Sequence, residues 1–131
     1  MTGSDSAPRF AGRYPYQSPI DAYGNGGFRF AGMSHRGSIL CLPSGVYAWQ
    51  AAELDEIGAA SLAPALAEKD TLGLLLLGTG RRQQFPGAEV RRAFETAGIA
   101  LEAMDTGAAC RTYNVLLAEG RPVGAALLAV D

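Results

Sequence analysis

Met104-Asp105-Thr106-Gly107-Ala108-Ala109-Cys110-Arg111-Thr112-Tyr113-Asn114 joins a strand to a helix: helix-start chemistry at Asp105 and Thr106 directly follows an apolar segment. Small residues crowd the same turn, where a backbone can approach a neighbour closely. A second segment has the same grammar. Leu74-Leu75-Leu76-Leu77 is a buried-strand run that ends in the glycine turn Gly78-Thr79-Gly80. Strand-helix-strand order brings consecutive strands together with their carboxyl ends at one edge, and ligands of open α/β sheets favour that edge. Gly78, Thr79, Gly80, Met104, Asp105, Thr106, Gly107 and Arg111 are therefore the candidate ligand- or partner-binding residues.

The elements around these turns follow from periodicity and punctuation. Residues 72–77 read as a central strand covered on both faces. A helix follows over 86–97, with Val90, Ala93, Phe94 and Ala97 on one stripe, Glu89 near its positive end and Gly98 as its stop. Residues 99–101 begin the next strand and Asp105 or Thr106 caps the next helix. Ala109, Tyr113, Leu116 and Leu117 form that helix's inward stripe before Gly120, and 123–130 is the last strand. Upstream, Ser61 caps a short helix carrying Leu62 and Leu66 and ending near Lys69, with Pro64 tolerated in its first turn.

The first third reads as β structure. Ile20 and Ala22 alternate with polar neighbours, Gly24-Asn25-Gly26-Gly27 supplies the positive φ of a tight turn, and Phe28-Arg29-Phe30 alternates again, giving a hairpin. Residues 33–37 read as another turn leading into a strand over 38–42. Pro43-Ser44-Gly45 stops that strand, and Val46, Tyr47 and Trp49 anchor the connection that follows. Residues 1–18, rich in Ser, Pro, Gly and Arg, read as a flexible arm. Residues 19–131 read as a single α/β domain, a mixed central sheet flanked by helices with an N-terminal β-hairpin appendage.

A chain of 131 residues fits one domain, since about 100–150 residues is the commonest domain size. With 48% hydrophobic and 18% charged residues the balance is globular, and a net charge of −2 speaks against a nucleic-acid partner. The pairs Arg81-Arg82 and Arg91-Arg92 read as solvated surface. Cys41 and Cys110 lie far apart without CxxC spacing, and the start lacks the basic and apolar regions of a secretory signal, which predicts free thiols in the cytoplasm. The apolar runs fall well short of the roughly 20 residues of a membrane span.

Catalytic and cofactor signatures are weak. Gly78-Thr79-Gly80 fits neither GxGxxG nor GxxxxGK[ST], so no cofactor is expected. Cys110 stands where a helix dipole lowers a thiol pKa, but Ala108, Ala109 and Tyr113 around it favour a small packing residue, as Leu40 and Leu42 do for Cys41. His35 follows Ser34 without a nucleophile elbow and reads as an exposed turn histidine. One histidine and two scattered cysteines do not make a structural zinc site. Asp21, Tyr23, Arg111 and Asn114 are polar residues in apolar surroundings, and their simplest use is hydrogen bonding that fixes hairpin and helix against the sheet.

Taken in order, Ile20-Asp21-Ala22-Tyr23 with Gly27-Phe28-Arg29-Phe30, the Leu77-Gly78-Thr79-Gly80 turn and the 104–114 segment resemble a known family. It is the small bacterial and archaeal domain-of-unknown-function family related to mitochondrial respiratory complex I assembly factor 3, and the resemblance covers residues 18–130. It implies a compact α/β fold with a mixed sheet and no established enzyme activity. From the mitochondrial relative it implies assistance in assembling NADH:ubiquinone oxidoreductase through protein contacts. An Arg-rich amphipathic targeting extension is lacking, so the organellar location is not carried over. The expected function is a non-enzymatic protein-interaction or assembly factor, with a respiratory-complex subunit as the partner the resemblance implies. The alternative is a small-ligand or anion-binding protein, enzymes included, that uses a crevice between Gly78 and Thr106.

Overall fold

The apolar runs become the centre of a mixed sheet. The computed structural model describes residues 10–131. Its strands are β1 (Arg13–Tyr14), β2 (Ala22–Gly24), β3 (Gly27–Phe30), β4 (Met33–Arg36), β5 (Ser38–Leu42), β6 (Gly45–Trp49), β7 (Leu74–Gly78), β8 (Ala100–Met104) and β9 (Val123–Leu127). A 3-10 turn (Leu54–Glu56) and helix α1 (Ala63–Leu66) precede β7, while α2 (Ala88–Ala97) and α3 (Thr106–Ala118) separate β7, β8 and β9. Six strands form the main sheet in the order β1-β6-β5-β9-β7-β8, and β2-β3-β4 form a second, antiparallel sheet. β7 runs parallel to both β8 and β9; the other pairings are antiparallel.

Alternation along each central strand divides its side chains between two cores. Leu40, Leu42, Leu75, Leu77 and Ala126 face one side, where Leu62, Ala65, Val90 and Phe94 from α1, its flank and α2 cover them. Ile39, Cys41, Leu76, Ala125 and Leu127 face the other, beneath Ala109, Cys110 and Tyr113 of α3 and Phe28 and Phe30 of β3. This is why 74–77 is continuously apolar: both faces of the strand are buried. Gly98, the stop read from the sequence, ends α2 in the left-handed conformation at φ 76°.

The expected α/β architecture forms, and several local readings change. Residues 33–37 are not a turn, because Met33–Arg36 pairs with β3 as β4 and the appendage has three strands. Val46, Tyr47 and Trp49 belong to β6 rather than a connection, since Pro43-Ser44 is the tip of a tight hairpin between β5 and β6. Ser61 does not cap α1: its hydroxyl accepts from Gly58 N at 2.9 Å and donates to Gly58 O at 3.0 Å, closing the preceding turn. The last strand ends at Leu127, and the penultimate one extends to Met104. Of the segment read as an arm, residues 1–9 lie outside the described residues. Beyond them Phe10 is buried, with its N–H donating to Ser34 O at 3.0 Å, and Arg13–Tyr14 pairs with β6.

Candidate functional site

Three parallel strands, β7, β8 and β9, end at the same edge, so the two turns singled out in the sequence adjoin there. Thr79 N donates to Met104 O at 2.8 Å, and Thr106 N donates to Gly80 O at 2.8 Å. The Thr106 hydroxyl, fully buried, ties all three strand ends together by accepting from Gly80 N at 3.0 Å and donating to Leu128 O at 2.8 Å. The Thr79 hydroxyl reaches Arg82 O at 2.7 Å and accepts from Gln84 N at 3.0 Å, which folds the chain after β7 back on itself. The N–H groups of Thr79, Gly80 and Thr106 are thus committed inside the protein. Gly78 leaves no gap either, because a Cβ there would stand 2.9 Å from Leu127 Cδ2 and 3.1 Å from Thr106 Cα. Gly80 lies at the surface of this knot with φ 102° and open space beside its α-carbon.

The choice between Asp105 and Thr106 as cap is settled by geometry. Asp105 Oδ1 accepts from Ala108 N at 2.9 Å, the N-cap bond of α3, and frees Thr106 for the strand ends. One residue further, Gly107 is the seat of Tyr23: a Cβ at Gly107 would overlap the Tyr23 hydroxyl and lie 2.9 Å from its Cζ. Arg111, exposed, reaches the same hydroxyl from Nη1 at 3.4 Å. Met104, Asp105, Gly107 and Arg111 therefore lead from the strand ends to a surface completed by Tyr23, which is 43% exposed, and Val115, which is 57% exposed one helical turn beyond Arg111. Val115 escaped the sequence reading, although its i+4 spacing from Arg111 marks the shared helix face.

Asn114 does what its position suggested. Its Oδ1 accepts from Ile20 N and its Nδ2 donates to Ile20 O, both at 2.8 Å, locking the entry to β2 onto α3. Tyr113 adds a buried bond to Ser18 O at 2.8 Å.

The remaining reactive groups are held for packing. Cys110 is buried, and burial pushes its thiol up to about 12, with Arg111 drawing it slightly down and Asp105 up. Cys41 is raised further by complete burial and by the neighbouring Cys110. His35 lies in β4 rather than in an exposed turn. It is half-buried, with Nε2–H donating to Ser38 O at 3.2 Å and its ring against Phe10 at 5.1 Å, and burial lowers its pKa. Ser34 and His35, adjacent in a strand, point to opposite faces and form no relay. Glu53, Asp55 and Glu56 bring exposed carboxylates together. Glu56 is already used there, Oε1 accepting from Ala52 N and Glu53 N as the cap of the 3-10 turn.

Similar proteins share this architecture. A solved structure described as an outer membrane protein from Bartonella henselae superposes with a TM-score of 0.87 at 47% identity, covering 90% of this chain and 99% of that one. An uncharacterized protein of Rhodobacter capsulatus is 40% identical over 121 residues, 92% of this chain and 89% of its own. NADH dehydrogenase (ubiquinone) 1 alpha subcomplex assembly factor 3 of Mus musculus is 32% identical over 115 residues; the match takes in 88% of this chain and 62% of that longer protein. Among the described residues no helix is long and apolar enough to cross a membrane. With residues 20–128 matching its description and the expected motifs all inside that span, the chain belongs to the family of proteins of unknown function DUF498/DUF598.

Proposed function

We propose that this protein is an assembly or accessory factor that engages a protein partner, a subunit of a respiratory NADH dehydrogenase, through the exposed face of α3 and its surroundings. The observation that carries the reading is the similarity to NADH dehydrogenase assembly factor 3 over 115 residues, 88% of this chain. The surface supports it. Tyr23 and Arg111 are of the residue types enriched at the energetic centres of protein interfaces, and Val115 adds exposed apolar surface on the same helix face as Arg111. Beneath them the turns at Gly78-Thr79-Gly80 and 104–107 act as a rigid platform, so docking orders little additional chain.

A photo-crosslinking amino acid placed at Val115 tests the reading in the cells from which the gene comes. The expected products are adducts with NADH dehydrogenase subunits, lost when Arg111→Glu is added. Adducts that lack such subunits, or that persist unchanged with Arg111→Glu, contradict it.

A further inference from the structure

The outer face of α3 is unusually poor in charge. Its 13 residues include one charged side chain, Arg111, whereas the shorter α2 has four, Glu89, Arg91, Arg92 and Glu95. A surface helix ordinarily lays charged and polar residues along its solvent side. On α3 the outer positions are Arg111, Val115 and Ala118, all exposed, with Glu119 exposed at the C-cap. Spacings of four and three place them on one side of the helix.

The two charges stand at the unfavourable ends. The Arg111 guanidinium folds back over the first turn, with Nη1 3.4 Å from where a Cβ on Gly107 would stand and 3.4 Å from the Tyr23 hydroxyl, a long bond to a neutral group. It thereby lies at the positive end of the helix dipole. Asp105, the nearest acid in the chain, is engaged by the Ala108 amide as the cap, and Arg111 makes no ion pair among the described residues. Glu119 puts a carboxylate at the negative end. Its pair with Arg121, at 3.9 Å between exposed side chains, compensates it weakly.

We infer that α3 pairs antiparallel with α3 of a second copy of this chain, about a two-fold axis through Val115. Val115 then faces its own symmetry mate. Arg111 stands four residues before it and Glu119 four after, each about 6 Å along the helix, so Arg111 of each copy meets Glu119 of the other, twice in one interface. The antiparallel alignment also sets the negative end of one dipole beside the positive end of the other, which relieves both charges. Ala118 comes opposite Thr112, a small side chain against a short one, which lets the helices approach. One helix from each copy makes a small interface, so the pair is reversible. The pairing stands independently of the assembly role, but the face is shared, and a subunit docking over Val115 displaces the second copy.

Sedimentation equilibrium of the 131-residue chain, at concentrations up to about 1 mM, tests it. A reversible monomer–dimer equilibrium is expected. Arg111→Glu and Glu119→Arg, both at exposed positions, should each weaken it at least about tenfold by setting like charges opposite each other, and the double exchange Arg111→Glu, Glu119→Arg should return it to within about threefold of the original. Val115→Cys locates the axis. Under oxidised glutathione that position should link to itself across the pair, while Cys41 and Cys110 stay buried and unlinked. A monomer at every concentration, single variants that dimerise as well as the original chain, no recovery in the double exchange, or no link at position 115 overturns the inference. A monomer throughout leaves the face to the partner subunit alone.

Discussion

Replacing Thr106 by valine removes one hydroxyl and almost no volume, so its cost isolates the polar knot at the three strand ends. The hydroxyl accepts from Gly80 N at 3.0 Å and donates to Leu128 O at 2.8 Å, and the residue is fully buried. Stranding a buried polar group costs about 1–3 kcal/mol. Gly80 is half-buried and water relieves its amide, which puts that group at about 1 kcal/mol, while the Leu128 carbonyl takes the fuller penalty. Together Thr106→Val should lose about 2–4 kcal/mol, whereas removing the true helix cap with Asp105→Ala should lose only about 0.5–2 kcal/mol. With an m-value of about 1–3 kcal/mol/M, a loss of about 3 kcal/mol lowers the urea midpoint by about 1–3 M. Equilibrium unfolding followed by circular dichroism and by Trp49 fluorescence measures it, coincidence of the two probes testing two-state behaviour. Thr106→Ser keeps the hydroxyl and should recover most of the loss. The reasoning fails if Thr106→Val stays within about 0.5 kcal/mol of the wild type, or if Thr106→Ser is equally damaged.

Three further outcomes follow from single observations. Ala31 sits at φ 50° in the turn between β3 and β4; the left-handed conformation costs an L-residue about 1–2 kcal/mol and glycine's extra chain entropy returns about 0.5–1. Ala31→Gly should therefore raise the melting temperature by about 2–4 °C, and a fall in a thermal scan refutes the strain. Cys110 is raised from 9.0 to about 12, so the folded protein keeps a proton that the unfolded chain releases above pH 9. Its contribution to stability is complete below pH 9 and is lost as pH climbs toward 12, and alkylation of the folded protein at neutral pH should be slow; rapid labelling would show an accessible thiolate. Leu75 is fully buried in β7 between β8 and β9, so Leu75→Asp should abolish the cooperative transition seen by circular dichroism, and wild-type stability would contradict the central placement of β7.

What was legible in the sequence is what local chemistry encodes. The run 74–77, the Gly98 stop, the Asn25-Gly26 turn and the start of α3 each carry their own signal, and each appears where it was read. The adjacency of the Gly78–Gly80 and 104–107 turns followed from strand order alone. β4 was missed because Met33-Ser34-His35-Arg36 has one apolar residue and becomes a strand only through its partner β3. β6 was missed because Pro43-Ser44-Gly45 reads equally as a strand stop or a hairpin tip. Gly45, whose absent side chain would overlap the Tyr14 carbonyl, was the sign that another backbone approaches. At the candidate site, Thr106 looked like a cap because the local pattern says nothing of Leu128, which is distant in sequence. The contact of Tyr23 with Gly107 and Arg111, likewise between distant segments, had no local signal.

The proposed role in building a respiratory NADH dehydrogenase is tested by deleting the gene in its own cells and resolving the membrane complexes on a native gel with in-gel NADH dehydrogenase activity. The expected result is less fully assembled enzyme with accumulation of a smaller subassembly, restored by the wild-type chain and not by a folded Arg111→Glu, Val115→Glu variant. An unchanged amount of assembled, active enzyme in the deletion strain would contradict it.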